Sequence, residues 1–268
     1  MKTEKYRVAP GKKVKLSDFD PDDELDGDKS AWKAHFAASS ERLVELQELL
    51  YAEGKHKLLV VLQAIDAGGK DSTIRKVFGP MNPQGVKVAT FKAPTEEELG
   101  HDYLWRVHAR APGRGNIAVF NRSHYEDVLI VRVKNLVPKA VWSKRYDHIN
   151  DFERLLTDEG TTIVKIFLHI SKKEQKERLQ DRLDRPDKHW KFRKDDLAER
   201  ARWDEYEDAF EAMLSKTSTD HAPWYVVPGN HKWARDAIIG RILVETLEGL
   251  DMQYPPAEEG LEGLEIPD

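Results

Sequence analysis

Apolar positions along the chain follow two alternating rhythms. Short, nearly unbroken apolar runs occupy residues 57–65 (KLLVVLQAI), 86–91 (VKVATF), 116–121 (NIAVFN), 161–170 (TTIVKIFLHI) and 224–229 (WYVVPG). Such runs predict strands buried on both faces. Between them, apolar residues return every three or four positions, as at Leu43, Leu46, Leu49 and Leu50, which predicts a helix over 30–53 stopping at Gly54. Further helices are expected over 70–78, over 95–111 with an acidic first turn and Pro112 beyond its end, and over 138–160 as one long helix. A charged helix follows over 172–183, another ends near Ser215, and a last one covers 232–250. Strands alternating with helices specify an α/β fold with a parallel sheet, helices on both faces and ligands at the carboxyl ends of the strands. The acidic stretch DFDPDDELDGD predicts an extended N-terminal arm over 1–29, and PPAEEGLEGLEIPD a flexible tail over 255–268, flanking one folded domain over 30–254.

At 268 residues the chain is long enough to bury a substantial core. No apolar run approaches a membrane span, and the opening MKTEKYRVAPGKK has no apolar signal core. Neither membrane insertion nor export is expected, so a cytoplasmic location is the default. The absence of cysteine excludes disulfides, thiolate metal sites and a cysteine nucleophile. A net charge of −5 argues against a nucleic-acid partner, but residues 172–202 carry 12 Lys and Arg against 8 Asp and Glu. A basic island in an acidic protein is either a polyanion surface or a solvated helix laced with internal ion pairs.

The stretch VVLQAIDAGGKDSTIRKVF nearly spells a phosphate-binding loop (Walker A), with Ala64 in place of the first Gly and Asp71 in place of the hydroxyl. Ala67, Gly68 and Gly69 would turn the backbone so that amides face an anion, with a helix N-terminus behind them. Lys70 would meet phosphate as a point charge, and Ser72 and Thr73 offer hydroxyls in the first helical turn. Asp66 and Asp71 beside an anion loop suggest a metal ion or a group that handles the attacking phosphate; Asp71 has a second reading as a favourable partner of the helix dipole. In IAVFNRSHYEDV, a strand runs into Asn121, Arg122, Glu126 and Asp127. Arg122 suits a phosphoryl clamp, whereas Ser123 with Glu126 also reads as a capping box. Arg178 and Arg182 share a helix face, and the following RPDKHWKFRK adds Lys191 beside Trp190, a segment able to fold over phosphates as a lid.

Taken in order, DAGGKDST, FNRSHYEDV, RLDRPDKHWKF and APWYVVPGNHKWAR resemble the second family of polyphosphate kinases over residues 43–254. NRSHYED and YLWRVH place the resemblance nearest the branch that phosphorylates AMP as well as ADP. The resemblance implies a three-layer α/β/α P-loop kinase fold, thymidylate-kinase-like, with a helical lid at about residues 178–196. It implies Mg²⁺-dependent phosphoryl transfer from inorganic polyphosphate to AMP and ADP, with Mn²⁺ as a substitute ion and guanine nucleotides as a second acceptor class. By the same resemblance Asp66, Lys70, Arg122 and Glu126 are catalytic. Residues 67–73 with Arg178, Arg182 and Lys191 bind phosphate; Asp66, Asn121, Arg122, Glu126 and Asp127 bind nucleotide; Asp66 and Asp127 hold metal. A homodimer or homotetramer is expected. The competing enzyme is an ATP-using nucleoside monophosphate kinase, for which the basic island is larger than a single triphosphate needs.

Overall fold

Each apolar run of the sequence is a strand: β1 (Lys57–Ala64), β2 (Val86–Thr90), β3 (Ile117–Asn121), β4 (Thr161–His169) and β5 (Trp224–Pro228). They form one sheet in the order β2-β3-β1-β4-β5, and every pairing is parallel. The computed structural model describes residues 3–23, 28–261 and 263–267; the parts of the predicted arm and tail at 1, 2, 24–27, 262 and 268 lie outside the described residues. The helices are α1 (Lys29–Glu53), α2 (Lys70–Thr73), α3 (Glu96–Leu99), α4 (Trp105–His108), α5 (Ile130–Val133), α6 (Lys139–Trp142) and α7 (Arg145–Asp158). After β4 come α8 (Lys172–Asp184), α9 (Asp195–Ala201), α10 (Trp203–Thr217) and α11 (Lys232–Glu248).

Alternation along β1 sorts its side chains between two cores. Leu58, Val60 and Leu62 pack with α1 and α11, while Leu59 and Val61 pack with α7 and α10. All five are fully buried, and each such burial contributes about 1.5–3 kcal/mol. The fold is therefore the three-layer α/β/α sandwich expected from the sequence. Helix α1 starts where the Asp28 carboxylate accepts from the amides of Ser30 and Ala31, and stops at Gly54 in the left-handed conformation (φ 66°).

Several predicted helices are broken. The expected helix over 95–111 is two single turns: Thr95 and Glu98 close a capping box that starts α3, and Asp102 accepts from the Leu104 amide in the turn that precedes α4. The expected helix over 138–160 divides at Ser143 and Lys144, where Lys144 N bonds Val141 O three residues back and not four. There Trp142 covers the Arg132 guanidinium while Ile149, Phe152 and Leu156 of α7 turn to the core. The helix after Lys70 changes to a π turn over Ile74–Phe78. The helix ending near Ser215 is α9 and α10, parted at Arg202, whose guanidinium donates to Val133 O at 2.7 Å.

The two edges of the sheet differ. On the β5 side the N-terminal segment bridges antiparallel, Arg7 to Tyr225, with Val8 N on Trp224 O at 2.8 Å and Val8, Val14 and Leu16 buried. Residues 255–261 and 263–267 are exposed and in no helix or strand.

Beneath β3 and β4 lies a buried ionic network. The Lys165 ammonium donates to Glu153 Oε2 (2.5 Å), to the Tyr125 hydroxyl oxygen (2.8 Å) and to Thr217 O (2.6 Å). Tyr125 donates to Glu153 Oε1 at 2.7 Å, and His124 Nε2 lies 3.2 Å from the same oxygen. Burial would raise the Glu153 carboxyl, but Lys165 and His124 outweigh it and hold it below its usual range. The network fastens the loop after β3 to β4 and α7. Lys165→Met leaves the Glu153 carboxylate buried without its cation, and urea unfolding should show a loss of about 3–5 kcal/mol, partly recovered in Lys165→Met/Glu153→Met.

Candidate active site

Because every strand is parallel, the ends of β1, β3, β4 and β5 lie along one edge, and the loops that leave them meet there. The loop after β1 turns on Gly68, whose amide donates to Ile65 O at 3.0 Å. A Cβ there would stand 2.5 Å from Ala64 Cβ and 2.8 Å from Ile65 O, so only glycine fits. Ala67 (φ 62°) and Gly69 (φ 108°) take left-handed conformations on either side, and α2 begins at Lys70. The Lys70 ammonium folds back onto Ala64 O at 2.9 Å. Ala64 and its carbonyl thus brace the lysine, in the place where the usual motif has glycine. Burial pushes that ammonium below its usual range, and Arg122 pushes the same way against Asp66, Glu126 and Asp71.

The loop after β3 supplies the opposing wall. Arg122 is left-handed (φ 63°) although it is not glycine, a conformation that costs roughly 1–2 kcal/mol. The strain aims its guanidinium across the sheet edge to Asp66 Oδ1 at 3.1 Å. Burial disfavours the Arg122 charge, yet Glu126 and Asp66 outweigh it and hold the guanidinium protonated. Ser123 accepts from Tyr125 N and from Gln63 Nε2, both at 3.1 Å. The capping box read from SHYE does not form: residues 124–127 make a single 3-10 turn, and the Glu126 carboxylate faces Arg122 and Lys70. Burial raises the Glu126 carboxyl, with both cations and Gln63 opposing.

Asp66, Lys70, Arg122 and Glu126 are therefore brought together, with Asn121 Nδ2 donating to Asp71 Oδ1 at 2.7 Å beside them. Asp127 is not. Successive residues of a 3-10 turn point about 120° apart, and Asp127 turns to Arg145, 2.7 Å away. Asp66 and Asp127 accordingly belong to separate ion pairs. Ser72 donates to Gly69 O at 2.8 Å, and Thr73 is buried with no hydrogen-bond partner for its hydroxyl among the described residues.

The basic island is laced with ion pairs. Arg178 Nε meets Glu174 at 2.7 Å, Arg185 meets Asp187 at 2.8 Å, Arg182 meets Asp196 at 3.7 Å, and Lys188 pairs with Asp181. Arg178 also donates to Ala67 O (3.1 Å) and Gly229 O (2.5 Å), which ties α8 to the phosphate loop. Arg182 donates to the Lys191 carbonyl, and the Lys191 ammonium lies over Trp190, which is 78% exposed. Sequence reasoning missed Arg235 of α11, which is buried, held by two donors on Asp236 Oδ1 (2.9 and 2.6 Å) and 3.2 Å from Ser72 Oγ. A Cβ on Gly69 would come within 2.4 Å of Arg235 and 3.3 Å of Arg178, so both guanidiniums crowd the loop. Lys232 completes this group; burial and then Arg178 and Arg235 push its ammonium down. The available signal was a helix start directly after β5 at the ligand-bearing edge.

A glycine-turned loop between a central parallel strand and a helix, with a lysine inside it and an arginine opposite, defines a P-loop phosphotransferase. A family model described as "Polyphosphate kinase 2" matches residues 26–255. The chain is 60% identical to an AMP/ADP-polyphosphate phosphotransferase of Meiothermus ruber over 98% of its own length and 99% of that protein. It is 45% identical to an ADP-polyphosphate phosphotransferase of Rhodopseudomonas palustris, covering 95% and 93% of the two chains. The crystal structure of polyphosphate kinase 2 from Arthrobacter aurescens superposes with a TM-score of 0.92 at 48% identity, covering 96% of this chain and 93% of that one. The chain belongs to the polyphosphate kinase 2 family. Phosphoryl transfer in kinases of this kind is assisted by a divalent metal. Among the described residues no helix is long and apolar enough to cross a membrane.

The left-handed Arg122 backbone predicts that Arg122→Gly is more stable than Arg122→Ala by about 0.5–1 kcal/mol in denaturant unfolding, since only glycine relieves the strain. For Asp127, burial outweighs Arg145 and Arg106 and lifts the carboxyl from 3.8 to about 6. Folding then takes up a proton, so the stabilising contribution is complete below the unfolded value and is lost as pH rises through about 6. Unfolding titrations between about pH 4 and pH 7 should show the parent chain losing stability relative to Asp127→Asn.

Proposed function

We propose that the chain transfers the terminal phosphoryl group of inorganic polyphosphate to AMP and to ADP, giving ADP and ATP. The observation that carries this reading is the Asp66–Arg122 pair facing Lys70 across the mouth of the phosphate loop. The acceptor's own phosphate oxygen is the nucleophile; it bonds to the terminal phosphorus while the bridging P–O bond breaks and the shortened chain leaves with the electron pair. A phosphate nucleophile is already anionic, so the site needs alignment and charge neutralisation more than a strong base. Lys70 and Arg122 lie on either side of the transferring group and draw off its equatorial charge. Asp66 holds Arg122 at that angle, and Glu126, close to both cations, keeps them oriented between turnovers.

The donor set fits Mg²⁺. Among the described residues no three His, Asp or Glu side chains gather to cage an ion. A hard ion that keeps one or two carboxylates, waters and substrate phosphate oxygens suits such a site. Asp66 would hold it, and the ion would neutralise charge on the phosphate oxygens of both substrates. Asp127 is better read as a positioning group for the loop, given its pairing with Arg145. The cations around Gly69, namely Arg178, Lys232 and Arg235, support a donor longer than a triphosphate. Guanine nucleotides as a second acceptor class, a dimer or tetramer, and a cytoplasmic setting belong to the same reading.

Incubation with AMP, Mg²⁺ and long-chain polyphosphate in the absence of ATP should yield ADP and then ATP, followed by chromatography of the nucleotides. Transfer from ATP to AMP with indifference to polyphosphate would instead identify an ATP-using monophosphate kinase. In the same assay Lys70→Ala should lower turnover by about 10²–10³-fold.

A further inference from the structure

Asn230, in the loop after β5, makes no contact with the groups to which chemistry is assigned above other than Arg178, yet every one of its polar atoms is engaged. Its Oδ1 accepts from Ser171 N at 3.0 Å, and its Nδ2 donates to Asp22 Oδ1 at 2.8 Å and to Ser171 Oγ at 3.3 Å. Its amide donates to Pro21 O at 3.1 Å, and its carbonyl oxygen accepts from Arg178 at 3.4 Å. One side chain thus joins the N-terminal arm, the start of α8 and the loop after β5.

The connections run on to the phosphate loop. Ser171 is the N-cap of α8, its hydroxyl accepting from Glu174 N at 3.1 Å. Glu174 fixes Arg178 Nε at 2.7 Å, and Arg178 reaches Ala67 O at 3.1 Å. From the same first turns Gln175 donates to Asp66 O at 3.0 Å. The loop that carries Asn230 has little room to shift: a Cβ on Gly229 would lie 2.8 Å from Ile170 Cγ2 and 2.9 Å from His169 O. Asp22 is 58% exposed at its side chain, so its hydrogen bond adds little to global stability. A connection so weak for folding and so directly in line with Ala67 and Asp66 acts on geometry.

We infer that Asn230 is a positioning residue that uses the arm at Pro21 and Asp22 as a strut, setting the first turn of α8 and with it Arg178 against the phosphate loop. The strut thereby sets the grip on the phosphate-chain donor through Arg178, whereas on the acceptor side it touches only the Asp66 backbone carbonyl and leaves that carboxylate with Arg122. The identity of that donor rests on the polyphosphate reading above; the mechanical coupling does not.

The test is a reciprocal exchange. Asn230→Asp keeps an acceptor for Ser171 N but sets two carboxylates against each other, whereas Asp22→Asn/Asn230→Asp again gives one donor facing one acceptor. Initial rates should show the half-saturating polyphosphate concentration rising about tenfold in Asn230→Asp, with that for AMP within about twofold, and recovery in the double variant. Amide hydrogen exchange of the first turn of α8, at Glu174 and Gln175, should quicken in the single variant and slow again in the double one. Equal rises for both substrates, or a double variant that restores neither readout, overturn the strut. If the parent chain turns over ATP and not polyphosphate, the function reading falls, and the exchange comparison alone decides the strut.

Discussion

Burial of β1 on both faces is the constraint on which the rest of the molecule depends. A strand with no exposed residue from Leu58 to Ala64 needs a helical layer on each side, and parallel neighbours need crossover helices to supply those layers. That arrangement lines up the carboxyl ends of all five strands along one edge. Asp66, Arg122, Ser171 and Asn230 come from stretches as far apart as 164 positions in sequence (66 to 230), yet each stands within a few residues of a strand end. No loop has to be long to reach the site.

Charge is managed there by cross-linking. Arg122 is aimed by a strained backbone and held by Asp66, Arg178 is spread over Glu174, Ala67 and Gly229, and Arg235 is fixed by Asp236. Bringing so many cations together is unfavourable until carboxylates or substrate phosphates answer them. The fixed orientation of each guanidinium means that little reorganisation is left to be done when a polyanion arrives, the condition under which electrostatic stabilisation is strongest. The buried Lys165–Glu153 pair serves the same end from below, since Tyr125 and His124 anchor the loop that bears Arg122.

The strands, the phosphate loop and the glycine stops could be read directly from the chain, because apolar runs, GGK after a strand and Gly54 after a helix each reflect local physics. Asp66 and Arg122 were legible for the same reason: both follow a strand end that the pattern places at the ligand edge. The long helices over 95–111 and 138–160 were misread because their breaks come from a turn closed on the Asp102 carboxylate and from Trp142 settling on Arg132, contacts that periodicity does not encode. The basic island displayed its charge but not its partners; three of its six arginines meet acids of the same segment.

What the sequence determined by itself was the α/β alternation, the position of the anion loop and the residue types available to it, since these depend on neighbours within a few positions. Only the tertiary structure decided that Glu126 faces the cations while Asp127 leaves for Arg145, that Arg235 stands behind Gly69, and that Asn230 ties the arm to α8. Those choices depend on which side chains of distant segments share a few ångströms at the sheet edge, and that proximity exists only once the parallel sheet has closed.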